Sequence, residues 1–174
     1  MSSESYVCRS ELPPHTHTRP FSPEKAYLAL MASGPTDAEA VTALFDQLKA
    51  VPPSFSFLGE WVGGHFPTLG HPVSDAVTGI KWAGKRFLSE DDVEPLVVYD
   101  EQGKRVPWVE WGRARLRRVE FHGVVSAAVI YDDRPIIDYF RYVDEDTVAG
   151  MMDPKNPEVA PWFHFYIKRC KPDM

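Results

Sequence analysis

Residues 59–64 read Gly59-Glu60-Trp61-Val62-Gly63-Gly64, entered through Phe55, Phe57 and Leu58 and left through His65-Phe66-Pro67. Trp61 supplies a large apolar body with one donor, and the flanking glycines let backbone and ring approach neighbouring elements closely. The stretch reads as a tight, half-buried first strand. At the other end, Phe163-His164-Phe165-Tyr166-Ile167-Lys168-Arg169 reads as a last strand that finishes in two cations. Large aromatics are mostly packing, so Trp61 reads as a core anchor rather than a ligand contact.

From Phe55 onward the punctuation is that of antiparallel strands. Gly70-His71-Pro72, Gly79, Glu90-Asp91-Asp92, Asp100 to Lys104, Asp132 to Pro135 and Asp144-Glu145-Asp146 separate runs rich in Val, Ile, Phe, Tyr and Trp. Leu116 to Tyr131 reads as the longest strand, with Gly123 as a bend or bulge in its middle. Its partner, Pro135 to Val143, alternates Ile136, Asp138, Phe140 and Tyr142 on one face with Ile137, Tyr139, Arg141 and Val143 on the other. Before the strands come two short helices, at about 23–33 and 37–49. Ser22 caps the first with Pro23 at its first position; Thr36 with Glu39 opens the second, and Val41, Leu44, Phe45 and Leu48 share its apolar face. Residues 1–21, broken by Pro13, Pro14 and Pro20, read as an extended arm, and residues 22–174 as one domain.

At 174 residues the chain is long enough to bury a core without disulfides or metals. A net charge of −6 gives a nucleic-acid partner no electrostatic support, the only basic cluster being Arg113, Arg115, Arg117 and Arg118. No run is long and apolar enough to span a membrane and the start lacks a signal-peptide pattern, so a cytoplasmic protein is expected. Cys8 and Cys170 have no metal-site spacing, and His15-Thr16-His17 lacks a fixed third ligand, so no metal site is read.

A second set of residues carries a resemblance. Gly59-Glu60-Trp61-Val62-Gly63, Trp82-Ala83-Gly84-Lys85-Arg86-Phe87, Val93-Glu94-Pro95-Leu96-Val97, Ala114 to Glu120 and Pro135-Ile136-Ile137-Asp138 stand in the order found in the GXWXG-domain family, followed by its companion domain of unknown function. The resemblance runs over about residues 36–169. It implies a calycin- or lipocalin-like antiparallel β-barrel, here mainly β with the short N-terminal helices capping one end, and it implies no established reaction. Likeness to such barrels further implies that the first and last strands meet, with Trp61 at the closed end beneath a cation from the Lys168-Arg169 end. A more distant likeness is to nitrobindin-type haem barrels, in which a late histidine holds the iron. His164, with Trp162 and Tyr166 on the same strand face, would be that ligand here; the alternative is a core or rim histidine satisfied by a neighbour.

Inside a barrel, low dielectric magnifies the consequence of every polar group. Asp138, between Ile136 and Phe140, is the first candidate, and Lys85 has the reach to pair with it, with Arg141 and Tyr131 as alternatives. A structural ion pair is the competing reading. His71 and His65 are the loop histidines expected near one barrel mouth, as proton carriers. Trp82, Tyr131, Phe140, His122, His164 and Tyr166 are expected to contact a ligand. There is no nucleophile elbow, no phosphate loop and no dinucleotide fingerprint.

These residues lead to an expected pocket for an apolar, oxygenated small molecule. The pocket either transforms the molecule without a cofactor by acid–base catalysis, as an isomerase, cyclase or lyase of specialised metabolism, or only carries it. Haem binding is a further alternative. The sequence leaves the oligomeric state open, a homodimer included.

Overall fold

The structure is a computed structural model that describes residues 21–67, 71–156 and 162–171. Two helices come first, α1 (Pro23–Ala32) and α2 (Ala38–Gln47). Ser22 caps α1 by accepting from the Lys25 N–H, and Pro23 occupies a position where a missing N–H costs nothing. Asp37, one residue later than the expected Thr36, caps α2 by accepting from the Glu39 N–H. The strands are β1 (Gly59–His65), β2 (Trp82–Phe87), β3 (Val93–Tyr99), β4 (Arg105–Pro107), β5 (Ala114–Phe121), β6 (Val124–Tyr131), β7 (Ile136–Asp144), β8 (Thr147–Pro154) and β9 (Phe163–Arg169). A third helix, α3 (Pro72–Gly79), lies between β1 and β2, and a single 3₁₀ turn (Val109–Trp111) precedes β5.

All pairings in the sheet are antiparallel, in the order β2-β1-β9-β8-β7-β6-β5-β3-β4, and a further pairing of β2 with β3 closes eight of the strands into a ring. β4 stands outside the ring and, among the described residues, pairs with β3 alone. β1 and β9 form the seam between the two ends of the chain, with Trp61 opposite Arg169. There the fully buried Trp61 donates its indole N–H to the Phe57 carbonyl at 2.6 Å, and the Arg169 guanidinium sits 4.4 Å from its ring centroid. Arg169 also donates to the carbonyls of Ser56 and Leu58, tying the 52–58 loop over this end.

Alternation along the strands divides the apolar residues into two sets. Phe57, Trp61, Phe87, Tyr131, Phe140, Met152, Phe163 and Phe165 pack together inside the ring. Tyr139, Val143, Ala149 and Met151 join Tyr27, Val41, Phe45 and Leu48 of the helical region in the other set. α1 and α2 thus lie against the outer face of β7–β9 instead of over an end of the ring. The helix at a mouth is α3, read as loop because His71-Pro72 looks like turn punctuation. His71 Nδ1 in fact caps it by accepting from the Val73 N–H, with Pro72 at the first position.

Two other features differ from the sequence reading. The long strand expected over 116–131 is a hairpin, β5 and β6, turned at His122 and Gly123 with φ of 48° and 71°. Two successive positive φ values match the twist of a two-residue hairpin loop, so Gly123 marks a reversal rather than a bend. Gly84, at φ 134°, lies in a bulge of β2, and a Cβ there would meet the Trp61 carbonyl oxygen at 1.9 Å. Arg113, Arg115 and Arg117 are paired with Asp92 and Glu94, Asp132 and Asp91 respectively. The arm, with Cys8, His15 and His17, lies outside the described residues except for Phe21.

Arg169→Ala is expected to lower unfolding stability by about 1–3 kcal/mol, since it removes the contact over Trp61 and two carbonyl partners at once. Lys171→Ala, which removes a solvent-screened ion pair with Asp146, is expected to leave it essentially unchanged. Urea titration of both variants measures the contrast.

Candidate functional site

The ring is not filled from end to end. Beneath α3 and the 108–111 segment it holds a chamber of about 380 Å³, in the range of small-molecule sites. Val73, Ala76, Val77 and Ile80 supply the α3 wall, spaced as one helix face, and Trp108, Glu110 and Trp111 the opposite rim. Leu96, Met152, Phe163 and Phe165 line the walls. The polar residues deep in the chamber are Lys85, Asp138 and Tyr131.

Each reaches the chamber for a structural reason. Asp138 and Tyr131 are inward members of β7 and β6. Lys85 and Trp82 have opposite parity along β2, so a regular strand would send them to opposite faces; the bulge at Gly84 shifts the register between them and turns both inward. Lys85 and Asp138 are each 1% exposed. The Lys85 ammonium donates to Asp138 Oδ2 at 2.5 Å, to the Pro95 carbonyl at 3.0 Å and to the Tyr131 hydroxyl at 3.3 Å. Tyr131 in turn donates to Asp138 Oδ2 at 3.1 Å. Burial first, and then the neighbouring Asp138 carboxylate, push the Tyr131 phenol well above its ordinary pKa, so it remains an O–H donor. The Lys85 Nζ also lies 5.0 Å from the Phe165 ring centroid.

The other sequence candidates are placed elsewhere. Phe140 is buried in the interior core but does not line the chamber. His65 and His71 flank Phe163, with ring centroids 5.6 Å and 5.3 Å away, without entering the lining. Burial lowers the His65 pKa. His71 is engaged as the α3 cap, and with Nδ1 accepting, its other nitrogen donates to the Trp162 carbonyl at 3.2 Å. His122 is at the β5–β6 turn, 2.7 Å from Asp46 of α2. Tyr166 packs on Phe66 and against Gly64 on the outer face. Arg141, the alternative partner for Asp138, is buried on that outer face against Phe45.

His164 is on the outer face as well, beneath α2 and separated by the wall from the chamber. The Thr42 hydroxyl gives its proton to the Ala38 carbonyl, so His164 Nε2 donates to Thr42 at 2.8 Å and Nδ1 is left buried without a partner among the described residues. Burial lowers the His164 pKa to about 4, against a small opposing effect of Asp46. The haem reading therefore loses its ligand, because a group in the chamber could not reach this imidazole. Among the described residues no group of three or more His, Cys, Asp and Glu could hold a metal ion, and no helix is long and apolar enough to cross a membrane.

Residues 43–103 match the family described as GXWXG protein, and residues 112–169 match a domain of unknown function, DUF4334. A crystal structure of a protein from Thermomonospora curvata superposes with a TM-score of 0.78 at 40% sequence identity, covering 86% of this chain and 99% of that one. The chain belongs to the GXWXG family. A search of the curated proteins finds no match. In this GXWXG protein the two matched segments build one ring, and they share the chamber floor: Lys85 comes from the first, Tyr131 and Asp138 from the second. Sequence reasoning named these three and Trp82 but missed the α3 wall and the Trp108–Trp111 rim. The signal was present in the spacing of Val73, Ala76, Val77 and Ile80.

Two outcomes are expected. Lys85→Met, which leaves Asp138 buried without its cation, should cost about 3–5 kcal/mol of stability, while Lys85→Met with Asp138→Leu should recover most of that loss. Chemical denaturation of the single and double variants checks this. For His164 the unfolded chain takes up a proton near pH 6.5 and the folded chain only near pH 4, so the unfolded state binds more protons between them. Stability is expected to fall as pH drops through that window, by on the order of 3 kcal/mol, and His164→Leu to flatten the decline in a pH series of urea melts.

Proposed function

We propose that the chamber binds a small, largely apolar, oxygen-bearing molecule and rearranges it by proton transfer through its own side chains. The observation that carries this reading is the Lys85–Asp138–Tyr131 cluster set into an otherwise apolar wall. A charged pair is costly to desolvate, and apolar side chains of similar volume would be neutral or better for stability alone. In the proposed reaction Asp138 takes a proton from one position of the bound molecule and returns it to another, so an isomerisation or cyclisation proceeds without oxidant or co-reactant. Lys85 holds the carboxylate in place and balances its charge, and Tyr131 is within reach to shift its hydroxyl proton toward a developing oxyanion.

A non-catalytic carrier is the second reading. The feature that favours it is the saturation of the floor: all three Lys85 protons and the Tyr131 proton already have acceptors. The two readings part on turnover. Incubating a metabolite extract with the wild-type chain should produce an isomer of unchanged mass that Asp138→Asn does not produce; a carrier would deplete free ligand and generate nothing new.

Occupancy of the chamber has its own test. Ala76 is exposed and on the chamber wall, so Ala76→Trp should fill the mouth without disturbing the core. Binding of 1-naphthol, followed by its fluorescence, is expected in the wild-type chain and at least about tenfold weaker in the variant, with melting temperature unchanged. Equal binding by both chains would remove the chamber as the site.

A further inference from the structure

The geometry points to a ligand whose oxygen is a hydrogen-bond donor: we infer that a hydroxyl, phenol or enol is held on Asp138 Oδ1, and that carbonyl and ether ligands of the same shape are rejected. This rests on the chamber being a ligand site and names the chemistry it selects.

At the floor of the chamber each donor can be matched to its acceptor. An ammonium has three protons, and those of Lys85 go to the Pro95 carbonyl, the Tyr131 oxygen and Asp138 Oδ2. The single hydroxyl proton of Tyr131 goes to the same Oδ2. The indole N–H of Trp82 is given to the Gly84 carbonyl at 2.8 Å. The two remaining indoles of the lining, those of Trp108 and Trp111, belong to the rim. No deep donor is therefore free. On the acceptor side both protein bonds to Asp138 fall on Oδ2, and no described donor reaches Oδ1.

Asp138 Oδ1 is not among the atoms sealed in the wall without a partner, so it opens onto the chamber and takes its donors from what the chamber holds, water or ligand. A ligand hydroxyl satisfies it with a charge-assisted bond. A carbonyl or ether oxygen brings lone pairs to a carboxylate instead, and leaves Oδ1 both unpaired and cut off from water. Sites built to read a hydroxyl discriminate strongly against analogues that lack it, for this reason. The saturation that favours a carrier thus becomes a specificity device.

Substituting Asp138→Asn makes the inference sharper. The amide oxygen can keep the bonds from Lys85 and Tyr131, and the amide nitrogen then turns donors into the chamber where an acceptor was. The preferred ligand should change from donor to acceptor.

The experiment compares 1-naphthol, 1-methoxynaphthalene and 1-tetralone by isothermal titration calorimetry. The wild-type chain is expected to bind 1-naphthol at least about tenfold more tightly than the other two, and Asp138→Asn to reverse that order. Equal or better binding of the ether or ketone by the wild-type chain would overturn the inference while leaving the chamber as a ligand site. So would a wild-type preference for 1-naphthol that persists unaltered in Asp138→Asn, because the hydroxyl would then be read elsewhere. Absence of binding by all three would count against the chamber itself, and the inference would fall with it. The wild-type series decides the matter on its own if the variant does not fold.

Discussion

The seam between β1 and β9 is the constraint on which the rest of the molecule depends. A sheet that closes on itself has no free edge, but closure requires the first and last ring strands to find each other across the whole length of the chain. Trp61 makes that meeting specific. Its ring fills the closed end, its indole proton is taken by Phe57 at 2.6 Å, and Arg169 covers it from the facing strand. Shifting the register by one residue would carry Trp61 to the opposite face of the sheet, so the contact fixes register as well as closure. Phe57, Phe87 and Phe140 pack with Trp61 at this end, and the chamber with Lys85 and Asp138 lies under α3.

Two different solutions to burying charge coexist on the two faces of the same wall. Inside, Lys85 and Asp138 are opposite charges in contact, with hydrogen bonds completing the geometry. Outside, Arg141 is buried with its guanidinium over Phe45 and one N–H given to the Phe121 carbonyl, and desolvation lowers its pKa. Nearby His164 avoids the problem by remaining neutral. The inner pair is open to a chamber, whereas the outer groups are covered by the N-terminal helices.

Much of this was legible because strands have a strict period of two. Once β7 is recognised, Ile136, Asp138, Phe140 and Tyr142 must share a face, but both faces carry apolar residues and the sequence leaves open which one points inward. The same logic failed for β2, where the Gly84 bulge breaks the period; Lys85 was named for its reach rather than its parity. The histidines were misjudged for another reason. A sequence gives no indication of which face of a wall a helix will cover, and α2 lies on the face that carries His164, with Thr42 waiting for it. His71 was placed near the mouth, but its imidazole serves as a helix cap, a role usually read for Ser, Thr, Asp or Asn.

The ion pair also joins the two halves of the chain. Lys85 belongs to residues 43–103 and Asp138 to residues 112–169, which match separately described families. Detached from each other, the first would carry a cation on an inward strand position with no anion opposite, and the second an anion with no cation. Each half would also present the unpaired strand edges that ring closure removes. The floor of the chamber therefore acts as a lock between two sequence units. Recombining either unit with a partner whose inward residue at the matching position was apolar would bury a lone charge, and the fold itself would discriminate against the mispairing.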